Sequence, residues 1–238
     1  METAEEQRTA EEQKRAEELT RKGDECRKNT DYPQAIVYYR QACELNNAKA
    51  MAELAIFYFF GKEESTPKDE NKFMELTDKA LSMGCVRACF NKYLYYRRHK
   101  DSEKQLYWIK RGARMGHPYS STLMGKAYAE GSYGLKRNMR NAIRWFRKAA
   151  ALNDCCGQLK LATAYRLGNG VRRDTLKALE LTTASANNGN TYAMHLLAVT
   201  YKYGDVGIPE DAELSRYWEE KSGSPIDDII WTFRRYFS

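Results

Sequence analysis

The stretch LATAYRLGNGVRRDTLKALELTTASANNG, residues 161–189, sets the reading of the whole chain, because its spacing recurs along most of it. Leu161, Tyr165 and Gly168 stand at i, i+4 and i+7, on one face of a helix. Gly170, Val171 and Asp174 then make a turn. Gly168 and Gly170 end a helix and admit the backbone a turn needs, so they read as structural and not as a phosphate-binding loop. Lys177 and Ala178 open a second periodic segment that closes at Gly189. The unit is helix, tight turn, helix.

Copies of this unit extend in both directions. Downstream, Leu197, Tyr201 and Gly204 lead to Leu214, Tyr217 and Trp218. Upstream, Met124, Tyr128 and Gly131 lead to Ala142, Trp145, Phe146, Ala149 and Ala150. Earlier still, Leu54, Tyr58 and Gly61 pass through a charged loop with Pro67 to Phe73, Leu76, Ala80 and Gly84. Residues 85–116 are a shorter, worn copy, with Asn91, Tyr95 and Arg98 at the first-helix landmarks and Trp108, Ala113 and Gly116 at the second. Before these, Leu19, Gly23, Cys26, Tyr32, Ala35, Tyr39 and Ala42 resemble the tetratricopeptide pattern, with Asp31 as N-cap and Pro33 in the first turn of a second helix.

One helix pair cannot bury both of its faces, whereas stacked pairs share a continuous core, so the fold expected is all-α, an α-solenoid of antiparallel helix pairs. Its parts are a charged helical extension over 1–17, a hairpin over 18–47, five pairs over 48–84, 85–116, 117–153, 154–189 and 190–224, and a capping helix over 225–238. In that last segment Ser224 and Pro225 suit a helix start, Asp227 and Asp228 its positive end, and Arg234 and Arg235 its negative end. Ile226, Ile229, Ile230, Phe233 and Phe237 share one face.

These landmarks closely resemble the Sel-one-like repeat (SLR) family, relatives of tetratricopeptide repeats, over about residues 48–225. GNGVRRDTLKA at 168–178 carries the central signature and NAIRWFRKAAALN at 141–153 the second helix. Departures are Asn91 and Arg98 for Leu and Gly, Asn153 for the closing Gly, and Pro225 for the last one. The resemblance implies a protein-binding scaffold. Similar proteins act as adaptors in signalling or complex assembly, and some bacterial ones as immunity proteins that inhibit secreted toxins. Some SLR proteins staple each repeat with a disulfide. Here the six cysteines, Cys26, Cys43, Cys85, Cys89, Cys155 and Cys156, do not recur once per repeat, which favours reduced core thiols, although Cys26 and Cys43 suit opposite sides of one hairpin.

Composition narrows the function classes. The chain has 238 residues, 42% of them hydrophobic, enough for a continuous core. No apolar run approaches the roughly 18–20 residues of a membrane span. The first thirty residues carry nine acids and seven bases with no apolar stretch. A soluble, cytoplasmic protein without a secretory signal is expected. The net charge of +7 is uneven: residues 85–153 hold sixteen Lys or Arg against three Asp or Glu. Such a block attracts an acidic partner.

His99, His117 and His195 are the only histidines, and no Cys-x-x-Cys pair, metal-binding helix motif or nucleophile constellation accompanies them. No enzyme, cofactor or metal site is expected. In stacks of this kind the first helix of each pair lines the concave side. The partner-binding residues expected there are Tyr93, Tyr96, Arg97, Tyr119, Lys126, Arg166, Lys202 and Tyr203, with Leu167, Tyr192 and His195 nearby; Phe59 and Phe60 are assigned to the core instead. Tyr and Arg combine contact area with hydrogen bonding, the chemistry of interface hot spots. The expected partner is a protein or peptide with an acidic surface, bound by a monomer. The competing class is RNA or single-stranded nucleic acid, held by the basic, aromatic-rich 85–153 block.

Overall fold

A computed structural model of the chain describes residues 4–61 and 63–223; the capping helix expected over 225–238 lies outside the described residues. Among the described residues there are twelve helices and no strand. They are α1 (Ala4–Lys28), α2 (Tyr32–Glu44), α3 (Ala48–Phe60), α4 (Glu70–Ser82), α5 (Val86–Arg98), α6 (Ser102–Arg114), α7 (Pro118–Glu130), α8 (Met139–Ala151), α9 (Cys155–Leu167), α10 (Thr175–Asn187), α11 (Thr191–Tyr203) and α12 (Ala212–Ser222). They form two compact units, α1–α6 and α7–α12, divided between Met115 and Gly116. Within each unit every helix packs on its neighbours in sequence, and α3 also meets α5, as α7 meets α9. This is the stacked-pair packing of an α-solenoid, all-α as the periodicity requires.

The helices are cut to length by their caps. Each of α2–α11 is 13 residues long. Nearly every one begins at an Asp or Asn whose side chain accepts from a first-turn N–H: Asp69 from Lys72 at 2.9 Å, Asp154 from Gly157 at 2.8 Å, Asp174 from Lys177 at 2.9 Å. Such a cap satisfies an N–H that the helix cannot and stabilises it by about 1 kcal/mol. His117 does the same work for α7 through its Nδ1, whereas Cys85 makes no side-chain cap. Helices α3, α7 and α9 stop at Gly61, Gly131 and Gly168, all left-handed. The first helix differs in being 25 residues long, polar over its first half and carrying the i,i+4 pairs Arg8–Glu12 (3.4 Å), Glu18–Lys22 (2.8 Å) and Arg21–Glu25 (2.6 Å).

Close approach of the paired helices fills the cores. Tyr39, Phe73, Ile36, Met51 and Ile109 are fully buried in the first unit, Met124 and Leu197 in the second. The rings need room. A Cβ on Gly23 would meet the Tyr39 ring at 2.7 Å, and one on Gly125 would collide with the Phe146 ring. The second unit has two apolar clusters, one around Ile143, Phe146, Leu161 and Tyr165, the other around Met194, Leu197, Ala198 and Trp218.

The worn 85–116 copy is held by polar contacts where its landmarks depart from the pattern. Asn91 is wholly buried and its Nδ2 donates to the Ala52 carbonyl at 2.8 Å. Arg98, in the place of glycine, donates through Nη1 to the Phe59 carbonyl at 3.0 Å and lies 3.8 Å from the centroid of the Phe59 ring. Both contacts tie α5 to α3. All six cysteines are free thiols, and burial pushes Cys43 up to about 12 and Cys156 up to about 11, so neither forms the nucleophilic thiolate near neutral pH.

Helix propensity alone makes Gly125→Ala stabilising by about 1 kcal/mol. The ring of Phe146 reverses the sign: urea unfolding is expected to show a loss of about 1–3 kcal/mol, as for other overpacked cores. A raised midpoint would mean that α7 and α8 are not in this register.

Candidate functional site

In the first unit the solvent-facing chemistry gathers on α5 and on the first helices beside it. Arg87, Phe90, Tyr93 and Arg97 follow one another at spacings of three and four, a single face of α5. The Arg87 guanidinium lies 5.6 Å from the Phe90 ring centroid, Phe90 and Tyr93 stand 5.6 Å apart, and Arg97 lies 5.7 Å from Tyr93. Two rings stand between two cations along the helix, and each Arg–ring contact lies within the range where the quadrupole attracts a cation.

At the N-terminal end of this ladder lies a cleft of about 220 Å³ lined by Arg27, Tyr32, Glu53, Ile56, Phe57, Phe60 and Arg87, drawn from α1, α2, α3 and α5. Glu53 is only 6% exposed and stands between two guanidinium groups, with Arg87 Nε 3.3 Å and Arg27 Nε 3.9 Å from its carboxylate oxygens. Tyr32 meets Phe57 edge-on at 6.0 Å, and Phe60 remains 48% exposed at the mouth. One turn before Arg27, Asp24 accepts from Tyr39 Oη at 2.8 Å and Lys49 Nζ at 2.6 Å. Burial pulls the Asp24 carboxyl upward, but these two donors outweigh it and hold the group below the usual carboxylate range.

The second unit has its own cleft, about 160 Å³, where Lys126 and Glu130 of α7 face Lys160 and Leu167 of α9 above Met139 and Phe146. Arg137 adds a third base, and Leu167 is 60% exposed.

The residues expected to bind a partner therefore divide between two units. Tyr93 is 3% exposed and lies beneath Arg97, so in the free chain it is packing and not contact surface. Tyr96 is half-buried, with Lys104 Nζ 5.1 Å from its ring on the α6 side, and Arg97 is exposed. Tyr119 is half-buried in the first turn of α7, and Lys126 lines the second cleft. Arg166 is half-buried and lines a gap of about 20 Å³ among α9, α10 and α11. Lys202 and Tyr203 are exposed, 5.6 Å from Nζ to ring. Tyr192 is exposed, while His195 is half-buried and burial lowers its pKa below the usual imidazole value. Of the two phenylalanines assigned to the core, Phe59 is buried but Phe60 is not: it sits on the last turn of α3 facing the cleft. Sequence reading missed Arg27, Glu53, Arg87 and Phe90. The three-and-four spacing on α5 was visible, but Glu53 reads as a surface acid until α1 and α5 are seen to close around it.

The basic block is less cationic than its count. Arg87 meets Glu53, Lys92 meets Asp78 at 2.6 Å, Arg98 meets Glu70 at 3.5 Å and Lys104 meets Asp101 at 3.1 Å. Three of those acids lie outside residues 85–153. Its aromatics are also engaged: Tyr93 is buried, and Lys92 and Arg111 lie 5.9 and 5.2 Å from the Trp108 ring. Among the described residues no three His, Cys, Asp or Glu side chains gather closely enough to hold a metal, and no helix is long and apolar enough to cross a membrane.

Capped helix pairs of uniform length, stacked first helix on first helix, define an α-helical repeat protein. The Sel1 repeat model matches residues 18–47, 48–85, 118–154, 157–190 and 191–223, well over half of the chain, which belongs to the Sel1 repeat family. Protein SHC1 of Saccharomyces cerevisiae is 32% identical over 103 residues, 43% of this chain and 20% of that protein. Chitin synthase regulator SKT5 of the same yeast is 25% identical over 214 residues, 83% of this chain. The chain spans 30% of the length of SKT5. A Sel1 repeat protein from Oxalobacter formigenes shares the fold, with a TM-score of 0.70, 24% identity and 87% of each chain covered.

The depressed Asp24 pKa makes a signed prediction. A carboxyl held below its unfolded value adds stability above the ordinary carboxylate pKa of about 3.9, and that stability is lost as pH falls through the lower folded value. In urea titrations at pH 7 and pH 3, Asp24→Asn is expected to be weaker than wild type at pH 7 and nearer to it at pH 3. An equal gap at both pH values would remove the ion pair as the cause.

Proposed function

We propose that the chain is a non-catalytic scaffold that holds another protein against the first-helix faces of its repeats, as an adaptor or regulatory subunit. Sel1 repeat proteins are protein-interaction scaffolds. The observation that carries the reading for this chain is the Arg–aromatic ladder of α5, with Arg97 exposed over buried Tyr93, and the cleft at its end lined by both arginines and aromatic rings, residue types enriched at interfaces. The name of the yeast relative, a chitin synthase regulator, agrees with a regulatory role. By analogy, this chain's task is to hold a larger partner and not to transform a substrate. A tight one-to-one inhibitor uses the same surface; what separates the two is whether a second partner binds at once. Nucleic acid is the weaker reading, because Arg87, Lys92, Arg98 and Lys104 already meet carboxylates and Tyr93 and Phe146 are buried.

In a nuclease-treated pull-down from the native source, a folded variant carrying Arg97→Glu and Lys126→Glu is expected to lose the protein that wild type retains, with affinity at least about tenfold weaker. Unchanged retention would place the binding surface elsewhere, and a catch that disappears with nuclease alone would overturn the protein-binding class.

A further inference from the structure

We propose that the cleft between Arg27 and Arg87 is the seat of an acidic linear segment of the partner, with a carboxylate against the two guanidinium groups and an adjoining large apolar side chain on Phe57 and Phe60. It rests on the scaffold reading and says what the first unit recognises.

The charges at the wall of the cleft leave a positive excess, with Arg27, Arg87 and Lys49 against Glu53 and Asp24. Two guanidinium groups share the carboxylate of Glu53, Arg27 also bonds Tyr39 and feels the Asp24 carboxylate, and neither arginine makes with Glu53 the close parallel bonds of a dedicated guanidinium–carboxylate pair, about 2.7–2.9 Å. Arg87 Nη2 stands 3.4 Å from Glu53 Oε2; its Nε, 3.3 Å from Oε1, is buried and misaligned for a hydrogen bond. Arg27 is further off, at 3.9 Å. Glu53 therefore orients both cations without saturating either, and donors remain for a second carboxylate. The arginine side chains are 42% and 32% exposed, open enough to be reached and covered enough for a new pair to be shielded from solvent.

The floor supplies the second half of the specificity. Ile56, Phe57 and Phe60 give an apolar surface beside the cations, and Phe60, 48% exposed, has area to lose to an incoming side chain. A volume of about 220 Å³ is below the usual 300–1,000 Å³ of small-molecule sites, and it suits one large side chain of a passing segment. A second copy of the chain is the competing occupant, because Asp205–Val206 and Glu213–Leu214 each set an exposed acid beside an exposed apolar side chain; self-association of the full chain that Phe60→Ser abolishes would identify it and overturn the proposal. A single-stranded nucleic acid stacks successive bases on several aromatic faces, whereas this cleft exposes one ring, Phe60, beside Phe57 at 8% exposure.

The test is selection of a random dodecapeptide display library on the full chain, followed by fluorescence polarisation with the selected peptides synthesised. Enriched sequences are expected to place Asp or Glu within two residues of Leu, Ile, Phe or Trp. Their affinity is expected to fall at least tenfold in Arg87→Gln and in Phe60→Ser. Because Arg87→Gln and Arg27→Gln each leave Glu53 with one cation, the exposed-site variant Phe60→Ser keeps the test valid if either protein unfolds. Enrichment of basic or purely apolar peptides, no enrichment, or binding indifferent to folded Phe60→Ser and Arg27→Gln would each overturn the proposal. These results leave the scaffold reading intact if the pull-down partner is still lost in the Arg97→Glu, Lys126→Glu variant; loss of both would remove the scaffold as well.

Discussion

The structure depends on the distance at which two helices of a pair can approach. Where a first-helix glycine lies under a second-helix ring, as Gly23 under Tyr39 and Gly125 under Phe146, the backbones come close enough for one aromatic side chain to fill the space between them. Close packing of that kind leaves no room for one methyl group. It also leaves the outer face of each pair uncovered, and only the next pair can cover it. In the second unit Asp154 shows how the two requirements meet. Its carboxylate caps α9 through Gly157 N–H and accepts from Thr122 Oγ1 at 2.7 Å, joining α7 to α9 at the point where Gly157 packs against Ala149.

The fold was legible because it is periodic. Landmarks such as Leu161, Tyr165 and Gly168 repeat at fixed offsets, and the physics that makes them helical is local to one or two turns. The binding surface was much less so. Its position depends on which residues beside the landmarks are covered by the neighbouring pair, and that is a contact between distant segments. Phe59 and Phe60 are adjacent in sequence, yet one is buried against Phe73 and the other borders the cleft. Tyr93 has the composition of a hot spot and lies in the core. Charge misled for the same reason: Lys92 counts toward a cationic block but pairs with Asp78 from the preceding helix, and its side chain is 7% exposed. A sum over sequence neighbours cannot register an acid supplied by another element.

Glu53 illustrates how a buried charge acts in such a surface. Alone, a carboxylate at 6% exposure is costly, and two arginines offset that cost. Pairing at 3.3 and 3.9 Å is not the geometry that maximises stability. The arrangement fixes both guanidinium groups at the lip of the cleft while leaving their donors incompletely used, which is what a preorganised recognition site requires.

Among the described helix pairs, α5–α6 is the one that falls outside the Sel1 matches, and it also carries the ladder. Asn91 in place of Leu removes apolar packing that the other pairs have, whereas Arg98 in place of Gly adds a cation over the Phe59 ring. The hydrogen bonds to Ala52 and Phe59 restore the tie to α3, each with a net contribution of about 0.5–1.5 kcal/mol, but they leave the buried Oδ1 of Asn91 without a partner. An unpaired buried acceptor is a cost in stability. The exchange does, however, lock α5 to α3 by directional bonds from the middle and the last residue of the helix that presents Arg87, Phe90 and Arg97. Local departure from an otherwise regular pattern is where function is expected to override packing, and here the departure fixes the geometry of the surface beside it.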